Sequence, residues 1–308
     1  MATFVYKFIH IMLLKSHFFN KFSFKLIFIS SIFCLILSFF LDELTQNLLI
    51  FSGILSFGVI HGANDLLLLK KNLNRKEVSY LSLIIPYLLM VILFGIFFYL
   101  IPSFALIFFV LFSSYHFGEQ QWTMFNNYKE KKLTFFYFSY GLFLFSFLFW
   151  SNDLIVGNII FDITDYRLDL IIFNYLFYFS TTLTLILGFL NFNFLKDQFL
   201  IQLILLLILS VIFYYSGLIL AFGIYFVFWH SIPSILEQSQ YIFGSSDSKS
   251  FIRYLRNALI YWLFSLLGLF LCYYFLKDFQ NLLISVFFSF LAAITFPHTL
   301  VIFKIKRN

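Results

Sequence analysis

Charged residues are scarce in this chain, and their scarcity excludes an ordinary soluble protein. Asp, Glu, Lys and Arg make up 11% of the 308 residues, whereas a soluble domain carries about 25%. Hydrophobic residues make up 62%, and the mean hydropathy is +0.96. Such a chain has too little charge to cover a water-facing surface, which predicts a polytopic membrane protein.

Cysteine is almost absent. Cys34 and Cys272 both lie within apolar runs, so we expect no disulfide framework of the kind that stabilises small secreted domains. The net charge is +6, but the basic residues are spread over short loops. We therefore expect no nucleic-acid partner.

Ten apolar stretches are long enough to cross a bilayer as helices. The first lacks a small-residue cleavage site, so we interpret it as a retained span. The stretches cover residues 25–41, 47–69, 78–101, 103–123, 134–151, 170–190, 199–215, 217–236, 258–276 and 281–303. They predict an all-α transmembrane helix bundle of about ten spans, with one domain over residues 25–303 and no internal repeat.

Two short tails are predicted to flank this domain. Residues 1–24 mix Lys7, Lys15 and Lys21 with Phe, Ile and Leu, which is typical of an amphipathic helix on a membrane surface. Residues 304–308 are predicted to form a basic tail. His10 and His17 lie in the first tail, where we expect them to be solvated or interfacial.

The distribution of basic residues supports this topology. With the N-terminus in the cytoplasm, only Arg167 and Lys277 of the 20 Lys and Arg residues fall outside, which leaves eighteen inside. This is the asymmetry that the positive-inside rule expects. Both termini are therefore predicted to be cytoplasmic.

The longest polar connection in this topology runs from about Glu237 to Arg256. It includes the run from Gly244 to Ser248, which is rich in serine. The composition predicts a flexible cytoplasmic loop.

Four of the six histidines lie inside predicted spans. They are His61, His116, His230 and His298. At a rise of 1.5 Å per residue, all four lie roughly 20–26 Å from the outer boundary, in one layer of the cytoplasmic half of the bilayer. A buried imidazole in lipid is costly without a partner, so four at one level predict a shared partner, most simply a metal ion.

Two carboxylates accompany the histidines. Asp65 lies one turn after His61, and Glu119 lies three residues after His116. A carboxylate that accepts the second ring N–H of a bound histidine fixes the ring and raises its basicity. We predict this positioning role for both carboxylates, with proton handling as the alternative. Each could instead face water near the headgroups, and each histidine alone could be a helix–helix hydrogen-bonding residue.

The chemistry of the ligands favours iron. Imidazoles suit iron, copper, zinc and nickel, and the site lacks the thiolates of structural zinc and the oxygen cage of calcium. Neutral imidazoles with open positions can hold Fe(2+) ready for O2. Spacing alone leaves copper and zinc open.

Four short motifs together resemble the Brp/Blh family of membrane β-carotene 15,15'-dioxygenases. In chain order they are HGxxD (His61 to Asp65), YHFGE (Tyr115 to Glu119), FWHS (Phe228 to Ser231) and PHTL (Pro297 to Leu300). The resemblance implies a catalytic domain with a histidine-bound non-haem iron that cleaves the central double bond of β-carotene with O2. The products would be two retinals, which would then serve a microbial rhodopsin.

The resemblance implies iron ligation by His61, His116 and His230, with one departure from the family's pattern. In that pattern a second histidine follows the FWHS motif by one turn, whereas this chain has Ser234 there. Either His298 completes the ligand set, or the site is incomplete and its activity or substrate has changed.

The physics of the substrate is compatible with this function. β-Carotene is an apolar rod about as long as the bilayer is thick, so an enzyme gains by taking it directly from lipid. Helices rich in Phe and Tyr could line a tunnel that selects a planar polyene by shape.

Three other functions remain open from the sequence. A proton- or ion-coupled transporter could use the same histidines and carboxylates as a relay, and would favour an inverted repeat that the sequence does not show. A haem-binding electron carrier could use histidine pairs as axial ligands. A di-iron desaturase normally needs about eight clustered histidines, which argues against that class.

Overall fold

The computed structural model describes residues 18–73, 79–124, 131–276 and 283–307. Within these residues 91% are helical and none forms a strand. The predicted all-α polytopic bundle is therefore confirmed. Residues 1–17 of the predicted amphipathic tail, with His10 and His17, lie outside the described residues, whereas residues 18–24 belong to the first helix, Phe18–Ser38.

Fourteen α-helices follow one another along the described chain, together with two π-helical segments. The π-helical segments are Ile54–Gly58 and Tyr225–Ser231. The α-helices are α1 (Phe18–Ser38), α2 (Glu43–Gly53), α3 (Val59–Ala63), α4 (Asp65–Asn72), α5 (Tyr80–Leu100), α6 (Pro102–Thr123), α7 (Thr134–Ser151), α8 (Asp153–Thr164), α9 (Ile171–Leu190), α10 (Phe192–Tyr215), α11 (Leu218–Ile224), α12 (Ile232–Phe243), α13 (Ser248–Leu276) and α14 (Leu283–Arg307).

Each of the ten predicted stretches contains one of the longer helices or a continuous run of shorter ones. Eight helical units in the described residues are long and apolar enough to cross a membrane. The other two stretches correspond to α1, whose described apolar part is only Phe24–Ser38, and to α6, which carries polar residues in its second half. The count of ten spans and the cytoplasmic termini stay predictions. Helix α8 was not predicted, because its 12 residues are too few to span.

The prediction of a flexible loop from Glu237 to Arg256 is wrong. Helix α12 continues to Phe243 and α13 begins at Ser248, so only four residues separate the two helices. Gly244 ends α12 with a positive φ of 84°, which glycine adopts without strain. The backbone N–H of Ser250 donates to the Asp247 carboxylate at 2.8 Å and holds the pKa of that carboxyl below its usual range.

That stretch is helical because its polar residues divide between two faces. Gln238, Ser239, Ser250 and Tyr254 are buried, while Glu237 and Gln240 are exposed. Polar residues that hydrogen-bond inside a bundle resemble a loop in composition, although they lie on a helix face.

The centre and periphery of the bundle differ clearly in burial. In the continuous helix Leu218–Phe243, 83% of the residues in the apolar 18-residue stretch are buried. The corresponding share is 6% in Tyr80–Leu100 and in Ser248–Phe275. The central helix is the one that contains His230, so that imidazole lies in the core. The peripheral helices present their apolar side chains outward, as lipid contact requires.

Helices α6 and α7 cross at very short range. A Cβ atom added at Gly118 would overlap the carbonyl oxygen of Tyr137, and one added at Gly141 would overlap the carbonyl oxygen of Ser114. Small residues allow such backbone contact between membrane helices, where dispersion replaces the hydrophobic effect as the driving force. This crossing fixes the half of α6 that carries His116.

We expect Gly118→Ala to reduce the yield of folded protein strongly, because its methyl group meets backbone that cannot rotate away. Gly95→Ala is the matched control, since nothing lies within 4 Å of its added Cβ. Size-exclusion profiles and thermal unfolding in detergent measure the difference. Equal behaviour of the two variants would contradict the close crossing.

Candidate metal centre

The four intramembrane histidines come together in one cluster. Their rings form a closed cycle in which neighbouring centroids lie 4.9 Å apart from His61 to His230, 4.9 Å from His230 to His116, 5.5 Å from His116 to His298 and 4.7 Å from His298 to His61. All four neighbouring pairs meet edge to face. The structure therefore brings the four imidazoles together, while their common depth in the membrane stays a prediction.

The four imidazoles are almost completely buried. All four side chains are at most 4% exposed. Phe226 stacks on the ring of His230 with centroids 5.6 Å apart and meets His61 edge to face at 5.5 Å. Phe117 also contacts the ring of His230, with centroids 4.4 Å apart. Such apolar surroundings lower the local dielectric and strengthen any interaction that the imidazoles make.

Two of the histidines lie in or directly after a π-helical segment. His230 belongs to Tyr225–Ser231, and His61 follows Ile54–Gly58 by three residues. A π turn widens the helix locally and is frequent at functional sites. Carbonyl oxygens in the wider turns can also accept hydrogen bonds from side chains. The carbonyl oxygen of Leu55, within the first π-helical segment, accepts one from the indole N–H of Trp262 at 2.7 Å.

The hydrogen bonds of His61 define which of its nitrogens is free to bind. Its Nδ1 lies in a short contact with the carbonyl oxygen of Gly58, so Nδ1 carries the proton and Nε2 carries a lone pair. That Nε2 lies 3.3 Å from Nε2 of His230. The two nitrogens therefore point toward each other at the centre of the cluster.

His298 is oriented by a buried carboxylate. Its Nδ1–H donates to Oδ1 of Asp65 at 2.8 Å, and the hydroxyl of Tyr87 donates to Oδ2 of the same carboxylate at 2.9 Å. The sequence predicted Asp65 as a partner of His61, on the same helix face. That pairing is wrong, because the helix breaks at Asn64 and the Gly58 carbonyl already occupies Nδ1 of His61.

Gly62 makes the contact between His61 and His298 possible. The ring of His298 would lie 3.4 Å from a Cβ atom at this position, so a larger side chain would push the ring away.

Glu119 is buried, with 1% of its surface exposed. Its Oε1 accepts a hydrogen bond from the hydroxyl of Tyr115 at 2.8 Å, one turn earlier on the same helix. The alternative that Glu119 and Asp65 simply face water is therefore excluded for both.

A second layer of polar side chains supports the backbone of the cluster. The hydroxyl of Tyr254 lies 2.9 Å from the carbonyl oxygen of His61 and 2.7 Å from Oε1 of Gln238, and it can donate to either. The side-chain amide of Asn64 donates a hydrogen bond to the carbonyl oxygen of Tyr254 at 3.0 Å. Gln120 donates from Nε2 to the carbonyl of His230 at 3.0 Å.

The donor set fits a divalent transition metal. Nε2 of His298 is buried and has no hydrogen-bond partner in the described part of the chain, and an unpartnered buried nitrogen is costly unless something binds it. Imidazole ligands about 2.1 Å from an ion lie roughly 3.0–3.4 Å apart at angles near 90–110°, and the two nitrogens of His61 and His230 match this spacing. Within the described ranges no three His, Cys, Asp or Glu side chains already converge on one point, since the rings pack edge to face.

The sequence did not identify four supporting residues, namely Tyr87, Gln120, Gln238 and Tyr254. Gln120 carried a usable signal, because an amide directly after the YHFGE motif is unusual on an otherwise apolar span. Tyr87 and Tyr254 carried none, since the chain has 19 tyrosines. Their roles depend on contacts between distant segments.

An all-helical bundle with apolar spans and imidazoles at its centre defines a membrane-embedded protein with an intramembrane histidine site. A family model described as beta-carotene 15,15'-dioxygenase matches residues 52–306, which include all four histidines and both carboxylates. The chain therefore belongs to the β-carotene 15,15'-dioxygenase family, and this membership supports carotenoid dioxygenase activity. No curated protein and no solved structure matches the chain.

We expect Tyr254→Phe to lower the free energy of unfolding by about 1–2 kcal/mol, because the one buried hydroxyl that donates to His61 or to Gln238 is lost. Tyr273→Phe on the same helix is the matched control, since that side chain is 48% exposed. Thermal or denaturant unfolding in detergent measures both. Equal stability of the two variants would show that the Tyr254 hydroxyl does not support His61.

Proposed function

We propose that the protein cleaves the central 15,15' double bond of β-carotene with O2, using an iron ion held by His61, His116, His230 and His298, to give two molecules of all-trans-retinal. The observation that carries the proposal is the closed cycle of four buried imidazoles. It lies within a chain whose family acts on β-carotene. The chain has Ser234 where the family's pattern has a histidine, and His298 supplies the fourth imidazole.

The proposed reaction balances without an added reductant. The C15–C15' double bond breaks, two C=O bonds form, and each aldehyde receives one atom of O2. Fe(2+) with open positions would supply the binding and activation of O2 that this spin-forbidden reaction needs. The protein contributes fixed imidazoles and, on the side of the phenylalanines, apolar surroundings that would limit the access of water to the reaction.

Asp65 and Tyr87 orient the site in this proposal. The Asp65 carboxylate keeps the proton of His298 on Nδ1, so that Nε2 presents its lone pair to the centre. Tyr87 fixes the second carboxylate oxygen. Partners of this kind raise the basicity of a ligand and limit its rotation. Glu119 is assigned a similar role beside His116, through its bond to Tyr115.

An apolar chamber leads toward the cluster from the side of α8. It is lined by side chains of α6, α7, α8, α11 and α14, and no polar atom lines it. Its volume is about 100 Å³, whereas pockets for small molecules measure about 300–1,000 Å³. Entry of a polyene would therefore require the aromatic side chains of the chamber to rotate.

Two aromatic contacts connect this chamber with the histidines. Phe222 lines the chamber and stacks on Phe226 at 5.3 Å, and Phe226 contacts His230 and His61. Phe145 also lines the chamber and stacks on Phe117 at 5.5 Å. Rotation of these rings would extend the chamber to the centre of the cluster, where the middle of a polyene would lie.

Expression in a bacterium that makes β-carotene tests the proposal. We expect loss of β-carotene and appearance of retinal, with both aldehyde oxygens labelled when the cells grow under ¹⁸O2. His61→Ala should abolish cleavage, since it removes one of four proposed ligands. His10→Ala is the matched control, because this histidine lies in the predicted tail.

Intact β-carotene in cells with abundant folded protein would contradict the proposal for that substrate. Ser234→His would then show whether the missing histidine is the cause. Retinal from the unmodified chain would instead establish that Ser234 is compatible with cleavage.

Asp65→Asn should weaken metal binding by about 10–100-fold, as loss of a partner of a ligating histidine typically does. Tyr87→Phe should give a smaller loss in the same direction, and Tyr99→Phe, on an exposed position of the same helix, should give none. Metal content after dialysis against a graded chelator measures the affinities. Wild-type affinity in Asp65→Asn would contradict the assigned role.

The location and the fate of the product are also part of the proposal. The predicted charge asymmetry favours a bacterial inner membrane, with substrate taken from the bilayer. Retinal formed within the bilayer could pass to a microbial rhodopsin without crossing water.

A further inference from the structure

A second cavity reaches the histidine cluster from the opposite direction. It measures about 230 Å³ and is lined by residues of α4, α6, α12 and α14. On α6 its lining residues are His116 and Gln120, whereas the apolar chamber touches the same helix at Leu106, Phe109 and Val110. The two spaces therefore lie on opposite sides of the cluster along the helix axis.

This polar cavity differs from the chamber in chemistry. Beside the apolar side chains of Leu68, Ile302 and Ile305, its lining includes five polar ones, namely Ser234, Glu237 and Gln238 on α12 and Gln120 and His116 on α6. Glu237 is exposed, whereas the other four are at most 5% exposed. The cavity thus has a carboxylate at its mouth, a hydroxyl and two amides along its length, and an imidazole of the cluster at its inner end.

One lining atom, the side-chain oxygen of Gln120, lacks a hydrogen-bond partner within the described residues. Gln120 donates its amide N–H to the His230 carbonyl, but its Oε1 is buried and has no hydrogen-bond partner within the described residues. A buried acceptor of this kind is stabilised when a water donates a hydrogen bond to it or a cation binds it. The cavity has both the volume and the polar lining that several waters need.

The cavity opens at the basic end of the bundle, which is the predicted cytoplasmic end. Lys71 lies there and donates to the carbonyls of Tyr241 and Ile242, near the end of α12. Glu237 is the acidic residue in the cavity's lining. A carboxylate at the mouth of a narrow opening raises the local concentration of cations and offsets the repulsion from neighbouring lysines.

We propose that this polar cavity is the passage by which a hydrated divalent cation reaches the histidines from the cytoplasm. The inference rests on the proposed function, in which the histidines bind a metal. A divalent cation loses its water stepwise and needs oxygen ligands during the transfer, which Glu237, Ser234 and Gln120 offer in order of depth. The apolar chamber offers none, so the metal and the polyene enter from opposite sides.

Cobalt(II) loading of the full-length protein in detergent tests this passage. Chelator-stripped protein is mixed with Co²⁺, and the visible absorption of the bound ion is followed over time. Ser234→Leu should slow loading roughly tenfold, because the added side chain fills about the space of one or two waters. Glu237→Gln should slow it several-fold and make the rate less sensitive to ionic strength. The final absorption should match that of the wild type in both variants.

Three variants serve as controls. Ser265→Leu, on α13 away from the cavity, and Glu43→Gln, on exposed α2, should load at the wild-type rate. Ser234→Ala removes the hydroxyl without filling the cavity and should load faster than Ser234→Leu. Glu237→Gln changes an exposed side chain, so it tests the passage even where Ser234→Leu fails to fold.

The outcomes separate the two proposals. Wild-type loading rates in a folded Ser234→Leu and in Glu237→Gln, with complete final absorption, would overturn the passage and leave the metal site intact. If the wild type itself never develops the absorption of bound cobalt, the proposed histidine metal site fails and the passage fails with it.

Discussion

An imidazole inside an apolar helix bundle costs free energy unless both of its ring nitrogens have partners. With four imidazoles in one place, this requirement determines much of the surrounding structure. Asp65 and the Gly58 carbonyl satisfy the outer nitrogens of His298 and His61, which leaves the inner nitrogens for a common ligand. The tyrosines and amides around them then hold the backbone on which the imidazoles lie. The polar residues of this otherwise apolar bundle are therefore concentrated around its centre.

The cluster has an apolar chamber on one side and a polar cavity on the other. This difference is compatible with the proposed function, in which an apolar substrate and a metal ion meet at the cluster. Phenylalanines lie between the histidines and the apolar chamber, while amides and a serine lie between the histidines and the polar cavity. In the proposed function, an apolar substrate and a hydrated ion would thus be separated by solubility before either reaches the centre. The four imidazoles form the boundary between these two regions.

The sequence predicted the helical class, the approximate positions of the ten apolar stretches and the convergence of the four histidines. These predictions succeed because apolar length and depth along a helix can be read from the chain directly. The sequence failed where the outcome depends on the packing of distant segments. The pairing of Asp65 with His298 follows from a helix break at Asn64, and the helical continuation through Phe243 follows from the burial of Gln238 and Ser239 against other helices. No residue type is specific to a π turn, so the π-helical segments Ile54–Gly58 and Tyr225–Ser231 could not be predicted from the sequence.

The π turn at Tyr225–Ser231 has a consequence for the face that α12 presents. A π turn holds an extra residue compared with an α turn, and one residue corresponds to a rotation of about 100° around the helix axis. A helical wheel drawn through Leu218–Phe243 as one regular helix therefore superimposes two different phases. The phase before the turn directs Phe222 to the apolar chamber, and the phase after it directs Ser234 and Gln238 to the polar cavity. The extra residue of the π turn thus lets one continuous helix line the apolar chamber with one part and the polar cavity with the other.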